Sequence, residues 1–270
     1  MNWNPSLTSC AALTACLVGC GGGNATPGGE FVLGSTTTTL NNATTTTQLT
    51  PGQAQGVYEG AASNGRYFNT LVLDNDQYYI LYGTLSGEVF SVAGVIAGTG
   101  QASNGSFASS DLKDFPAGGM PLSGTMSATY APGASFNSVV TRGGAAVTFS
   151  GVVLANTSYT YNTPARLAEV SGTWAATALT GESVSLEIAA NGTYAATSLG
   201  CNFSGSFVPR ASGKNVFNFT ASFGPAPCVL ANQTVTGHAV TYLLGNGKRQ
   251  LLVAASDAAR SVATLLAGIR

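Results

Sequence analysis

Short runs of alternating apolar and polar residues, separated by tight-turn dipeptides, fill the chain from residue 56 onward. Four Asn-Gly pairs mark the clearest turns, at 64–65, 104–105, 191–192 and 246–247. Asn and Gly adopt the two positive φ angles of a type I′ hairpin turn, so each pair predicts a connection between neighbouring antiparallel strands. Helical periodicity is weak and confined to 165–170 and 257–268. The sequence therefore predicts an all-β protein.

A faint internal repeat divides this β-rich part of the chain into two units. The matching segments are GVYEG (56–60) with GTWAA (172–176), LVLDNDQYY (71–79) with LEIAANGTYA (186–195), VAGVI (92–96) with FSGSF (203–207), and SGTMSATY (123–130) with TGHAVTY (236–242). Pro164 interrupts the strands between the copies, which sets the predicted units at 56–165 and 166–270. We expect two tandem antiparallel meanders, each a small eight-stranded barrel or a sandwich of two sheets.

The strands of the second unit can be placed individually. They are expected near 171–178, 183–190, 193–200, 202–209, 215–223, 234–244, 249–256 and 259–268. Trp174 stands in a Gly-x-Trp sequence that resembles the opening of lipocalin-like barrels, and the resemblance implies that Trp174 plugs one end of a barrel. A barrel that spans the outer membrane is disfavoured: its strands run over about 10 positions, whereas many here are shorter and rich in Ala, Ser and Thr.

The N-terminal residues have the pattern of an export signal, with an uncharged apolar stretch at 7–18. The stretch ends in LVGC (17–20), which resembles the lipobox of bacterial lipoproteins. That resemblance implies a signal peptide over 1–19, cleavage before Cys20, and lipid attachment, including palmitate, at Cys20. Gly21 after the cysteine favours sorting to the outer membrane, again by resemblance. More broadly, the chain resembles uncharacterised two-unit β-lipoproteins of proteobacteria.

A Thr- and Gly-rich segment follows the lipobox, over 20–55. It contains STTTT and ATTTT runs and a single aromatic residue, Phe31. Such a segment buries too little apolar surface to offset the entropy of ordering it, so the sequence predicts a disordered linker behind the anchored cysteine.

Charge excludes one class of partner. The net charge is −1 and charged residues make up 8% of the 270 residues. Nucleic-acid-binding domains carry basic stripes, and the sequence has none. Beyond the N-terminus no apolar run reaches the roughly 18–20 residues that a membrane-spanning helix needs. The body of the protein is therefore expected to be soluble or peripherally attached, with the lipid anchor as its contact with the membrane.

Cys201 and Cys228 are the only cysteines after Cys20. Their spacing fits neither a Cys-x-x-Cys redox motif nor a zinc site. In the predicted meander, Cys201 lies between the third and fourth strands and Cys228 between the fifth and sixth. Alternate hairpins of a meander point to the same end, so both cysteines share one rim and a disulfide is expected, contributing about 3 kcal/mol.

Other polar residues favour structural roles. His238, the sole histidine, lies in a strand-like run without a neighbouring acid, and no Gly-x-Ser-x-Gly elbow is present. Asp-Asn-Asp at 74–76 lacks the further oxygen ligands of a calcium loop and is typical of a turn. The sequence thus offers no catalytic, cofactor-binding or metal site.

Two further features of the first unit have both a structural and a binding interpretation. The charged segment DLKDF (111–115) is expected in a Gly- and Pro-flanked loop that the second unit lacks, either solvated or carrying a binding role. Tyr78 and Tyr82 share one face of a predicted strand, with Tyr79 on the other. Core filling is favoured for these tyrosines over a ligand platform.

The function expected from the sequence is a non-catalytic binding or structural module, anchored in the envelope of a Gram-negative bacterium. Its partner is expected to be a protein, a glycan or a small ligand. Two alternatives stay open: an envelope-polymer hydrolase that uses paired carboxylates, and a lipocalin-like carrier of a small apolar ligand. The interior of each unit distinguishes the carrier, because a carrier needs a cavity of several hundred Å³.

Overall fold

The structure, a computed structural model, describes residues 52–154 and 159–270. The predicted signal peptide, Cys20 and the linker up to residue 51 lie outside these residues. Residues 52–55, which the sequence assigns to the linker, instead pack against the first unit: Ala54 is fully buried, and its carbonyl accepts a hydrogen bond of 3.0 Å from the Tyr58 hydroxyl.

The first unit is a closed antiparallel barrel of eight strands with one added short strand. In chain order the strands are β1 (Gly56–Ala62), β2 (Tyr67–Val72), β3 (Gln77–Ser86), β4 (Val89–Thr99), β5 (Gln101–Ser103), β6 (Ser106–Pro116), β7 (Leu122–Ala131), β8 (Ser135–Arg142) and β9 (Ala145–Val153). Consecutive strands pair with one another except β4 and β5. The ring is completed by pairing of β1 with β9 and of β4 with β6. The short β5 forms a hairpin with β6 outside that ring.

The second unit is a closed eight-stranded barrel preceded by one turn of helix. Its elements are α1 (Leu167–Val170), β10 (Gly172–Ala178), β11 (Ser183–Ile188), β12 (Thr193–Ser198), β13 (Cys201–Pro209), β14 (Phe217–Phe223), β15 (Thr234–Leu243), β16 (Arg249–Ser256) and β17 (Ala263–Ile269). The barrel interpretation is thus confirmed over the sandwich. The segment 257–268 is a turn followed by β17, not a helix, because pairing with β10 and β16 closes the barrel.

The internal repeat aligns equivalent strands of the two barrels. The segments 92–96 and 203–207 lie in β4 and β13, the fourth strand of each ring, and 123–130 and 236–242 lie in β7 and β15, the sixth. The repeat therefore reflects the same meander folded twice.

The four Asn-Gly pairs all join antiparallel neighbours, but only one has the predicted turn geometry. Both residues have positive φ at Asn104 and Gly105, with φ of 47° and 79°. At the other three pairs only the glycine has a positive φ angle, namely Gly65, Gly192 and Gly247. The side-chain oxygen of the asparagine before each glycine accepts a hydrogen bond from the backbone N–H two residues after that asparagine. These are three-residue loops that end in a left-handed glycine.

Aromatic side chains fill both barrel interiors. The largest fully buried ones include Tyr58, Tyr78, Phe68, Phe107, Phe136 and Phe149 in the first barrel, and Trp174, Phe207, Phe217 and Phe219 in the second. Glycines on neighbouring strands make room for some rings: Tyr82 pairs with Gly94 and its ring occupies the place of the missing Cβ. Tyr78 and Tyr82 are thus core residues, as the sequence favours.

A third apolar cluster lies between the barrels. Outward-facing residues of β2, β3 and β4 pack against outward-facing residues of β15, β16 and β17, among them Leu71, Tyr79, Leu81, Val95, Val240, Leu252 and Leu265. The strands β2–β4 are therefore buried on both faces, which explains the nearly continuous apolar run at 78–82.

The charged segment 111–115 is wrongly predicted as a loop, because it lies within β6. Its carboxylates have partners that sequence spacing does not reveal. Asp111 pairs with Arg260 of the second barrel at 2.7 Å. Asp114 is buried in the first barrel, where it accepts a hydrogen bond from the Tyr82 hydroxyl and pairs with Arg142. Burial raises the pKa of the Asp114 carboxyl despite these partners.

Candidate functional site

The two ends of the second barrel differ. At one end α1 and Trp174 close the barrel: the indole N–H donates to the Val170 carbonyl at 2.6 Å, and the Arg270 guanidinium lies 4.6 Å from the indole ring centroid. Trp174 therefore lies at a closed barrel end, as its Gly-x-Trp context implies. The opposite end carries the loops 179–182, 199–200, 224–233 and 257–262.

An apolar depression opens at this second end, with a volume of about 170 Å³. We call it the rim recess. Its inner wall is the top of the barrel core, formed by Val184, Phe203 and Leu266. The loops contribute further apolar residues to its outer wall, including Leu199, Pro227, Val229 and Leu230. The recess is therefore an exposed extension of the hydrophobic core.

Leu199 is placed on this rim at a conformational cost. It forms the tip of the β12–β13 hairpin with Gly200, and the φ angles of 46° and 82° are those of a type I′ turn. The left-handed region disfavours residues with a bulky side chain, and Asn is the common choice at such a tip. The Leu199 side chain is nevertheless 80% exposed. Backbone strain of this kind tends to occur at functional sites, which is our reason to regard this rim as one.

A disulfide joins the two loops that present the exposed apolar residues. Cys201 and Cys228 are bonded, with Cα atoms 4.5 Å apart, as the sequence predicts. Cys201 is the first residue of β13, directly after the Leu199–Gly200 turn. Cys228 directly precedes Val229, which is 83% exposed. The crosslink therefore holds the loops that carry Leu199 and Val229 together on one rim.

His238 lies elsewhere, at the interface between the barrels. Its Nε2 is 3.0 Å from Arg210 Nη1, and its Nδ1 is 3.1 Å from the Tyr79 hydroxyl. Burial, followed by the charge of Arg210, lowers the pKa of His238 to about 4. Arg210 in turn pairs with Asp74 of the first barrel at 2.7 Å. The histidine is thus a neutral member of an interface network, consistent with its structural interpretation.

The carboxylates of the described residues mostly hold structural partners. The Asp76 carboxylate accepts hydrogen bonds from the backbone N–H groups of Gly52 and Ala102. The segment 74–76 is therefore a turn that stabilises two neighbouring segments of the chain. Similar side-chain or backbone bonds engage Glu59 (Tyr67), Glu88 (Asn246), Glu182 (Thr180) and Asp257 (Ser261 and Val262). Within residues 52–154 and 159–270, no group of three or more His, Cys, Asp or Glu side chains is arranged to hold a metal ion.

Comparisons with solved structures give similarities of low structural agreement, of which two are described below. No known protein family and no curated protein matches the sequence. A protein of unknown function from the DUF3598 family of Nostoc punctiforme is 12% identical, with 81% of this chain and 96% of that chain covered and a TM-score of 0.26. The isotype 1 transferrin-binding protein B of serogroup B Neisseria meningitidis is 7% identical, with 80% and 66% covered and a TM-score of 0.23. Neither similarity bears on function.

Among the described residues, no helix has the length and apolar character required to cross a membrane.

Proposed function

We propose that the protein is a lipid-anchored, non-catalytic binding module of the bacterial envelope, and that the rim recess is its binding site. The observation that carries this proposal is Leu199, a bulky apolar residue held exposed in a left-handed conformation beside an apolar recess. A hairpin tip free of binding constraints is better served by Asn. The LVGC sequence at 17–20 supports the lipid anchor, with the outer membrane as the proposed location.

The filled barrel interiors favour surface binding over transport of a ligand inside a barrel. Cavities that enclose small molecules commonly measure about 300–1,000 Å³. The rim recess measures about 170 Å³, and aromatic side chains occupy the space below it. Attachment of the recess to another surface fits these dimensions better than enclosure of a carried ligand.

A photo-crosslinking experiment in cells tests the proposed site. A benzophenone amino acid replaces Thr180, an exposed residue that lines the recess, and in a control it replaces Asn191, an exposed residue at the closed end of the same barrel. We expect a discrete adduct from position 180 that is absent from position 191. Adding Leu199→Ser to the position 180 protein should reduce the adduct at unchanged expression.

Equal adducts from both positions, or an adduct unaffected by Leu199→Ser, would argue against the recess as the binding site. The anchor is tested separately by labelling with a palmitate analogue. Cys20→Ala should abolish the label and release the protein from the membrane fraction, whereas a label that persists in this variant contradicts lipidation at Cys20.

A further inference from the structure

We infer that the occupant of the rim recess is a segment of a protein partner that presents one bulky apolar side chain beside a lysine or arginine. This inference rests on the proposed function and specifies its ligand. The size of the recess favours a side chain as its occupant. About 170 Å³ accommodates a single large side chain better than a whole small molecule. Protein interfaces commonly concentrate their affinity in a few large side chains that insert into well-packed pockets.

The charge of the recess favours a basic group on its occupant. Glu182 is the one charged residue among those that line the recess, and it is half-buried there. Its carboxylate accepts a hydrogen bond from the Thr180 hydroxyl and has no cation beside it among the lining residues. A cationic group on the occupant would complement this carboxylate, whereas a fatty-acid carboxylate or an anionic lipid headgroup would be repelled.

The other charges in the neighbouring loop at this end are already engaged. Arg260 pairs with Asp111 and donates to the Ala97 carbonyl, both in the first barrel. The Asp257 carboxylate accepts the backbone N–H groups of Ser261 and Val262 within its own loop. Glu182 therefore determines the preferred charge of whatever enters the recess.

The arrangement of Leu199 and Val229 favours a peptide segment as the occupant. They are 80% and 83% exposed, and the disulfide holds their loops together on the rim. Both flank the recess, so a peptide segment seated there would cover them as well as fill the cavity. An apolar rim around a small pocket, with a carboxylate at its edge, is complementary to a peptide in which a lysine or arginine lies next to a bulky apolar residue.

Three capped tripeptides test this inference on the full chain carrying Cys20→Ala, which cannot be lipidated at that residue. The probes are acetyl-Lys-Phe-Lys-amide, acetyl-Glu-Phe-Glu-amide and acetyl-Lys-Ser-Lys-amide, titrated while the methyl NMR signals of Leu199, Val229 and Leu230 are followed. We expect the Lys-Phe-Lys peptide to bind about three- to fivefold more tightly than Glu-Phe-Glu, the range of a partly exposed ion pair. The Lys-Ser-Lys peptide should leave the signals unchanged.

Glu182→Gln is the matched variant, since it keeps the shape of the side chain and removes its charge. In this variant the two Phe peptides should bind equally, while the requirement for Phe persists. Thermal unfolding of the variant reports whether its fold is intact.

The outcomes separate this inference from the proposed function. Equal binding of the two Phe peptides to the chain with Glu182 would overturn the basic partner and leave the recess as a binding site. If neither Phe peptide shifts the methyl NMR signals, both the basic partner segment and the recess as a binding site are overturned. Co-sedimentation with phosphatidylglycerol vesicles that is lost in Leu199→Asn would identify a membrane surface as the occupant and contradict a protein segment.

Discussion

Replacing Leu199 by Asn separates the stability of the second barrel from its binding surface. Leu199 has φ of 46° at a type I′ hairpin tip, and its side chain is 80% exposed. Left-handed backbone costs an ordinary residue about 1–2 kcal/mol, and Asn relieves part of that cost through its short polar side chain. Little packing is lost, because the leucine side chain is mostly in solvent. We therefore expect Leu199→Asn to raise the free energy of unfolding by about 0.5–1 kcal/mol.

Thermal unfolding followed by circular dichroism measures this gain. For a chain of this size, 1 kcal/mol corresponds to a shift of the midpoint by about 2–4 °C. The same variant should lose binding of the Lys-Phe-Lys peptide and the in-cell adduct at position 180, because the apolar rim is gone. A gain of stability with a loss of binding is the behaviour expected of a residue kept for function.

Leu199→Ala is the control, since alanine keeps the left-handed penalty and removes only the exposed isopropyl group. Its stability should match that of the parent within about 0.5 kcal/mol, as for most surface substitutions, while its binding falls. A lower unfolding midpoint for Leu199→Asn would refute the reasoning, because it would show that the leucine side chain stabilises the fold.

Three further predictions concern the fold. Gly94→Ala adds a methyl group where an aromatic ring lies, and should cost about 1–3 kcal/mol in denaturant unfolding; Gly268→Ala, whose added Cβ meets atoms at 3.4 Å or more, should be nearly neutral. Replacing Cys201 and Cys228 together by Ser should cost about 3 kcal/mol by the same assay, because the disulfide closes a loop with a sequence separation of 27. His238 has a pKa lowered to about 4 in the folded chain, whereas its ordinary value is 6.5. As the pH falls below 6.5, His238 is therefore protonated in the unfolded chain before it is protonated in the folded chain. Stability should therefore fall between pH 6.5 and 4, by on the order of 2–3 kcal/mol more than in His238→Gln.

The meander itself is encoded locally. Alternating runs and Asn-Gly turns place the strands of the second barrel within a few residues, and the internal repeat pairs equivalent strands. The segment 257–268 is ambiguous because Ala and Leu favour a helix, whereas the barrel needs its final strand there; tertiary pairing overrides the propensity. The sequence also places both cysteines on one rim, since that follows from the order of hairpins alone.

The roles of the charged residues and the recess depend on contacts that are distant in sequence. The sequence predicts Asp114 in a loop because the charged segment around it is flanked by Gly and Pro. The partner that allows Asp114 to be buried in a strand, Arg142, lies two strands further along the chain and cannot be inferred from spacing. The rim recess is missed because its outer wall is built by three connecting loops that are distant from one another in sequence. One local signal is available in the sequence: Leu precedes Gly at 199–200, whereas Asn precedes Gly at the type I′ tip of 104–105.

Hydroxyl-radical footprinting of the protein in intact cells and after purification tests most directly whether a partner covers the rim. Leu199 and Val229 are 80% and 83% exposed, and Met120, in a loop of the first barrel, serves as a control at 81%. For each residue the ratio of oxidation in cells to oxidation after purification is compared. If a partner covers the rim, the ratio is well below that of Met120 for both Leu199 and Val229, and this is the result we predict. Ratios equal to that of Met120 would show that the rim stays open to solvent in the cell and would contradict the proposed binding site.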